Sequence, residues 1–232
     1  SDVSAEQLQE AAQTIAQAQT AVGAMLATPR DPRVVHVVLY ASRFDFEAVH
    51  GKVDSELVGD TLFVCRPLHE WLVLDAFAQV RISDALPYRP HWLGIGLAAD
   101  LSTLRWKTRN LVQAGLPNPQ MYAAYLGTRS VDVRQLHTWF GGDDPHSALS
   151  GLSWALVRWA ATDEPKRFAT YLRLLAEGDA QRAWAETFAP LASHLDRDVY
   201  RFIIQGRFAS TLHPVPDAPH VAAVDALELQ LA

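Results

Sequence analysis

A histidine followed directly by a glutamate, in a stretch predicted to be helical, is the first arrangement in this sequence that could do chemistry. His69 and Glu70 open the run His-Glu-Trp-Leu-Val, which ends at Val73. If the fifth residue of such a run is also histidine, both imidazoles lie on one helical face and bind zinc, and the glutamate activates the zinc-bound water. Here the fifth residue is Val73, so the second imidazole is missing.

A second predicted helix begins with Trp-Leu-Gly-Ile-Gly-Leu-Ala at Trp92. Together the two segments resemble the gluzincin metallopeptidases, especially bacterial peptidase-MA-like proteins related to thermolysin and aminopeptidase N. Their pattern is His-Glu-x-x-His, followed on the next helix by Trp-Leu-x-Glu-Gly-Leu-Ala. Ile95 stands where that family has its third zinc ligand, the second glutamate. The order of the surrounding predicted elements extends the resemblance over about residues 33–208.

The resemblance implies that His69 would be the first zinc ligand and Glu70 the general base. Val73 and Ile95 cannot bind a metal, and catalytic zinc sites use three protein ligands. We therefore expect no metal, no cofactor and no zinc-peptidase activity. Two branched apolar side chains in place of two ligands would fill the former site by packing.

The leading functional hypothesis is a non-catalytic pseudopeptidase that acts as a binding or scaffold protein. Its former substrate cleft, lined by Trp71, Val73, Trp92 and Ile95, would bind a peptide, a protein or a small apolar ligand. The alternative is a repurposed, metal-independent enzyme with Glu70 and His69 as an acid–base pair, or a divergent hydrolase. Whether the chain is an enzyme therefore stays open at this point.

Other residues with chemical potential have simpler structural interpretations. His91 or Asp75 could replace a lost ligand, but Asp75 lies roughly 120° around the helix from His69. Cys65 and His69 could form a nucleophilic pair, although a lone cysteine at a strand end is usually a small buried residue. Glu47 and His50 have the spacing of a di-iron motif in a single copy, which is too few for a di-iron centre.

Three further groups of residues each have two possible interpretations. Asp143, Asp144 and His146 could suggest a metal site, but Asp144 followed by Pro145 is better explained as a helix cap. Trp139 and Phe140 before Gly141 and Gly142 could mark a mobile loop or the core. A basic cluster is either a solvated face or an anion site: Arg105, Lys107 and Arg109.

Composition limits the class of protein. The 232 residues carry a net charge of −6, 49% hydrophobic residues, seven Trp and one Cys. These values indicate a folded, soluble protein without a disulfide and give no reason to expect a nucleic-acid partner. The sequence contains neither a membrane-span-length apolar run nor a signal peptide. We expect a bacterial protein, either cytoplasmic or exported with a leader absent from this chain.

The elements predict an α+β, mainly helical fold. Ser4–Ala27 forms a capped helix in region 1–32, which could also mediate oligomerisation. The gluzincin-like domain spans 33–208: a small mixed or antiparallel sheet over 33–66, the two degenerate active-site helices (Pro67–Ile82 and His91–Leu104) over 67–104, and a helical bundle over 105–208. Within the first part we expect a buried strand over Val34–Ala41, a short helix capped by Ser42, and a hairpin of Val53–Val58 and Thr61–Cys65 that turns at Gly59. The tail, 209–232, is expected to be extended and then to form a docked helix over Val221–Leu231.

Overall fold

A computed structural model describes residues 4–26, 36–51, 55–59, 61–65, 69–127, 132–139 and 147–216. Over these residues the fold is α+β and mainly helical, which confirms the predicted fold class. Three predicted features lie outside the described residues: Asp143–His146, Phe140–Gly142 and the helix Val221–Leu231. No helix in the described ranges is both long and apolar enough to cross a membrane.

The N-terminal helix α1 (Ala5–Leu26) begins with the predicted capping box. The Gln7 backbone N–H donates to the Ser4 hydroxyl at 3.3 Å, and the Gln7 side-chain oxygen accepts from the Ser4 backbone N–H at 3.0 Å. Its alanine-rich stripe is buried against the third helix of the fold, with Ala21 and Val22 fully enclosed. The small side chains allow close helix packing, so α1 is part of the core.

The first sheet contains β1 (His36–Tyr40), β2 (Ser55–Val58) and β3 (Thr61–Cys65), with α2 (Arg43–His50) between β1 and β2. The predicted hairpin β2–β3 is confirmed, and β3 also pairs with β1 in parallel, so the sheet is mixed, as predicted. The strand order is β1-β3-β2. β1 is an edge strand and is only half-buried, whereas the sequence indicated a buried one.

Two helices follow, α3 (Glu70–Ala85) and α4 (His91–Leu101), and they pack on each other. The sequence predicted that α4 continues to Leu104. Instead, Ser102 caps the helix, and the Thr103 hydroxyl bonds the Asp100 carbonyl at 2.7 Å. This early end lets the chain turn into a strand at Arg105.

The prediction that everything after Arg105 is helical was wrong. A second antiparallel sheet contains β4 (Arg105–Thr108), β5 (Leu111–Ala114) and β6 (Thr211–Pro214), in the order β4-β5-β6. Strands of four residues are too short for a clear alternating pattern. In addition, β6 comes from the predicted tail, and its pairing with β5 has no local sequence signal.

The remaining helices form the bundle that the sequence predicted. They are α5 (Pro119–Gly127), α6 (Ala148–Asp163), α7 (Pro165–Ala176), α8 (Ala180–Thr187) and α9 (Leu195–Ile204), with short 3₁₀ turns at Val133–Thr138 and Ala189–Leu191. The core has two parts. The sheet core joins α1, α3, the end of α4 and both sheets, and the bundle core joins the start of α4 to the later helices.

Candidate functional site

His69 lies one residue before α3 and is its N-cap, with an extended backbone at φ −86° and ψ 127°. Its carbonyl accepts the N–H groups of Leu72 at 3.0 Å and Val73 at 3.3 Å. The imidazole is exposed and stacks on the Trp71 indole, with 6.5 Å between ring centroids. The sequence placed His69 on the helix, whereas the structure makes it the N-cap, one residue before the first helical residue, Glu70.

Glu70 is the first helical residue of α3, a position that favours a carboxylate because the helix dipole is positive there. Its side chain is 38% exposed, and its Oε2 lies 3.8 Å from Arg105 Nη1. The expected apolar surroundings of Glu70 are not found. A guanidinium and solvent surround it instead.

The two missing-ligand positions lie in different parts of the core. Val73 has no exposed surface and belongs to the sheet core with Ala98 and Leu101, whereas Ile95 is half-buried against the bundle core. Along α4, Ile95 precedes Leu101 by roughly 9 Å. Glu70 at the start of α3 meets Arg105, beyond the end of α4. Val73 and Ile95 thus pack against different sets of neighbours, and neither carries an atom that could bind a metal.

Trp92 is also fully buried, in the bundle core. Its ring stacks on Tyr171 at 5.8 Å and meets Trp184 edge-on at 6.2 Å. Val73 and Trp92 consequently have no surface for a ligand in this structure. Of the four residues predicted to line a cleft, Trp71 is the one that lines the cleft described next.

Trp71 forms one wall of an open cleft of about 520 Å³ between the start of α3 and the segment that joins α4 to α5. The lining combines an indole, a leucine and two prolines with polar side chains and one arginine. The residues are Trp71, Ser102, Thr103, Arg105, Leu116, Pro117, Asn118, Pro119 and Gln120.

Asn118 fixes the far wall of this cleft. Its Nδ2 donates to the Ala99 carbonyl at 3.0 Å, and its Oδ1 accepts the N–H groups of Gln120 and Met121 at 3.1 Å each. It therefore caps α5 and ties that helix to α4. Thr103 bonds the Leu116 carbonyl at 3.1 Å. These polar groups are used within the protein, so the wall is preformed.

Arg105 is the charged group of the cleft. It begins β4, its side chain is 56% exposed, and Glu70 is its ion-pair partner among the described residues. Lys107, two residues further along β4, is exposed and lies where the pairing with β5 is irregular, between Trp106 and Thr108. The basic cluster of the sequence thus borders the cleft at Arg105.

The other candidates have structural partners. Cys65 is buried at the end of β3, and Asp75 accepts a bond from Gln79 at 2.7 Å. His91 is exposed and contacts Trp139 edge-on at 4.7 Å. Partial shielding from solvent, and then the nearby Arg89 charge, lowers the pKa of His91. Among the described residues, no group of three or more His, Cys, Asp or Glu side chains could hold a metal ion.

His50 is held by a network that the sequence interpretation missed. Its Nε2 accepts the Tyr40 hydroxyl at 3.1 Å, and its Nδ1 bonds the Glu56 carboxylate. The ring also stacks on Phe46 at 4.8 Å and contacts Phe63 at 4.6 Å. Its partners come from four elements, β1, α2, β2 and β3, so spacing along the chain gave no signal. Glu47 instead bonds Arg43 at 2.6 Å, one helical turn earlier.

The cleft wall after α4 was also missed, although one signal was present. Pro117-Asn118-Pro119 places an N-cap residue before a proline at the first helical position, which marks the start of α5. No family model and no curated protein matches the chain. The likeness to gluzincin peptidases therefore rests on the sequence pattern and stays a prediction.

Proposed function

We propose that this chain is a non-catalytic binding protein and that its ligand occupies the cleft at Trp71. The observation that carries the proposal is the cleft itself, about 520 Å³ with an indole and two prolines in its walls. Pockets of this size that combine apolar walls with a few polar groups are the usual sites for small ligands and peptide ends.

The preformed wall supports binding as the task of this cleft. Asn118 and Thr103 hold the segment after α4 through internal hydrogen bonds, so little ordering is needed when a ligand enters. Trp71 offers a large rigid surface at low entropic cost. Chemistry on the ligand would need a positioned acid, base or nucleophile, and these polar groups already have partners.

The pseudopeptidase interpretation is part of the same proposal. Val73 and Ile95 supply no metal ligand, and the cleft lies beside the remaining His69 and Glu70. In this view a peptidase-like fold has kept a peptide-sized cleft and lost hydrolysis. The protein would therefore bind peptides and release them intact.

Affinity selection tests the proposal. A library of acetylated dipeptides is incubated with the full chain, and retained peptides are identified by mass spectrometry. Retention should disappear in Trp71→Ala, because the main apolar wall is gone. It should persist in Tyr88→Ala, since Tyr88 is an exposed aromatic residue outside the cleft lining. If Trp71→Ala retains the same peptides as the parent chain, the cleft is not the site.

The repurposed-enzyme alternative is favoured by one observation: Glu70 and His69 both reach the surface near the cleft. It predicts cleavage or modification of a retained peptide, with loss of turnover in Glu70→Gln and an unchanged urea midpoint. Intact recovery of every retained peptide, with and without added zinc, supports the binding protein instead.

A further inference from the structure

Given the proposed binding function, on which this step rests, we propose that the cleft takes the carboxyl-terminal end of an apolar peptide. Arg105 is the partner of the terminal carboxylate, and Glu70 competes with that carboxylate for the same guanidinium. One arginine beside apolar side chains in the same cleft points to a ligand that carries both an anion and an apolar group.

Among the described residues, no hydrogen bond occupies the donors of the Arg105 guanidinium. At 3.8 Å its contact with Glu70 is an ion pair beyond hydrogen-bond distance. A guanidinium offers a planar pair of N–H donors that matches a carboxylate, and such bidentate pairs are among the stronger charge-assisted interactions. An incoming carboxylate can therefore make a shorter contact than Glu70 makes.

The apolar part of the ligand is defined by the apolar residues of the cleft. Trp71, Leu116 and the two prolines line the same cleft as Arg105. A terminal residue carries its carboxylate and its side chain on one Cα, so one residue reaches both groups. The bound peptide then leaves the cleft in one direction only, whereas a peptide held by an internal acidic residue would have to leave it on both sides of that residue.

The local charge also favours an anion. Arg105 at the cleft and Lys107 two residues later are both exposed basic residues of β4, although the chain as a whole carries a net charge of −6. A cationic edge on an acidic protein attracts carboxylates over short range and loses that attraction in salt. Lys107 does not line the cleft, which makes it a matched control for Arg105.

Three acetylated dipeptides test this inference by isothermal titration calorimetry with the full chain. They are acetyl-Ala-Phe with a free carboxylate, its C-terminal amide, and acetyl-Asp-Phe amide, which carries its charge on a side chain. We expect the free acid to bind roughly fivefold more tightly than either amide at low salt. Arg105→Gln should abolish that preference, and Lys107→Gln should retain it.

Glu70→Gln should tighten binding of the free acid by about twofold and leave the plain amide unchanged, because the competing carboxylate is gone. Equal affinity of the acid and its amide overturns the inference, as does tighter binding of the Asp-Phe amide. Absence of binding by all three probes also overturns it. The cleft's binding function is judged separately, by Trp71-dependent retention of peptides from the library.

Discussion

Val73 and Ile95 are fixed by packing in separate parts of the core. Val73 contacts the sheet core, in which it has no exposed surface, and Ile95 packs against the bundle core. Each side chain therefore contributes to the packing of a different part of the core.

The double variant Val73→His/Ile95→Glu tests this argument at the residue scale. We expect no stoichiometric zinc and a stability loss of about 2–4 kcal/mol, because a buried imidazole would lack partners. Urea unfolding measures the stability, and elemental analysis after dialysis against zinc measures the metal. The Ile95→Glu single variant is the control, since Ile95 is only half-buried. One zinc per chain in the double variant would contradict the expectation that these positions serve packing alone.

At the scale of elements, the second glycine of Trp-Leu-Gly-Ile-Gly-Leu-Ala has a packing role. A Cβ at Gly96 would lie 2.5 Å from the Ser153 carbonyl oxygen and 2.7 Å from Val157 Cγ2, both on α6. α4 and α6 therefore approach each other at Gly96 more closely than any larger residue allows. Close packing of α4 on α6 therefore explains a glycine at position 96 without any metal chemistry.

Gly96→Ala should lower the free energy of unfolding by about 1–3 kcal/mol, because the two backbones must separate to admit the methyl group. Gly127→Ala is the matched control. Gly127 ends α5, and a Cβ there meets nothing within 4 Å, so its stability should change by less than about 0.5 kcal/mol. Urea denaturation of both variants gives the comparison, and equal effects would refute close packing at Gly96.

The packing of α1 leads to a similar pair of variants. Ala21 is fully buried against α3, and Ala24 is exposed on the same helix. Ala21→Leu should cost about 1–3 kcal/mol through overpacking, whereas Ala24→Leu should be nearly neutral. Thermal unfolding of both variants measures the difference. If instead α1 served only to join two copies of the chain, Ala21→Leu would change the mass seen by light scattering and leave monomer stability unchanged.

Elements with local signals could be predicted from the sequence. Ser4 and Ser42 cap α1 and α2 as expected, and Gly59 marks the hairpin. The second sheet could not be predicted from the sequence, because β6 pairs with β5 across a long stretch of chain. In the site, the types of residue at 69 and 70 were informative. Their surroundings depend on Arg105, which β4 brings to Glu70 through tertiary packing.

At the scale of the whole molecule, one buried ion pair joins parts that are distant in sequence. Arg158 on α6 lies 3.3 Å from Asp100 on α4, with 7% and 17% of their side chains exposed. Arg158 Nη2 also donates to the carbonyls of Gly115 at 3.0 Å and Ala209 at 3.3 Å. Both helices and the two chain segments beside the second sheet thus meet at one guanidinium.

Burial raises the pKa of Asp100, and the charge of Arg158 opposes that rise. In Arg158→Met the opposing charge is gone, so the Asp100 pKa should rise further. Near neutral pH the variant then buries an unpaired carboxylate, and we expect a stability loss of about 3–5 kcal/mol. Urea unfolding at about pH 7.5 measures this loss, with Arg197→Met, at an exposed position, as the control.

The pH dependence of that loss identifies the carboxylate as its source. Because the folded-state pKa of Asp100 is raised above its unfolded value, the folded state binds the proton first as the pH falls, and stability is regained. The double variant Arg158→Met/Asp100→Asn has no such group. Its stability advantage over Arg158→Met should be largest near about pH 7.5 and should shrink toward about pH 4.5. A pH-independent difference would mean that the lost bonds to Gly115 and Ala209, not the unpaired charge, destabilise the fold.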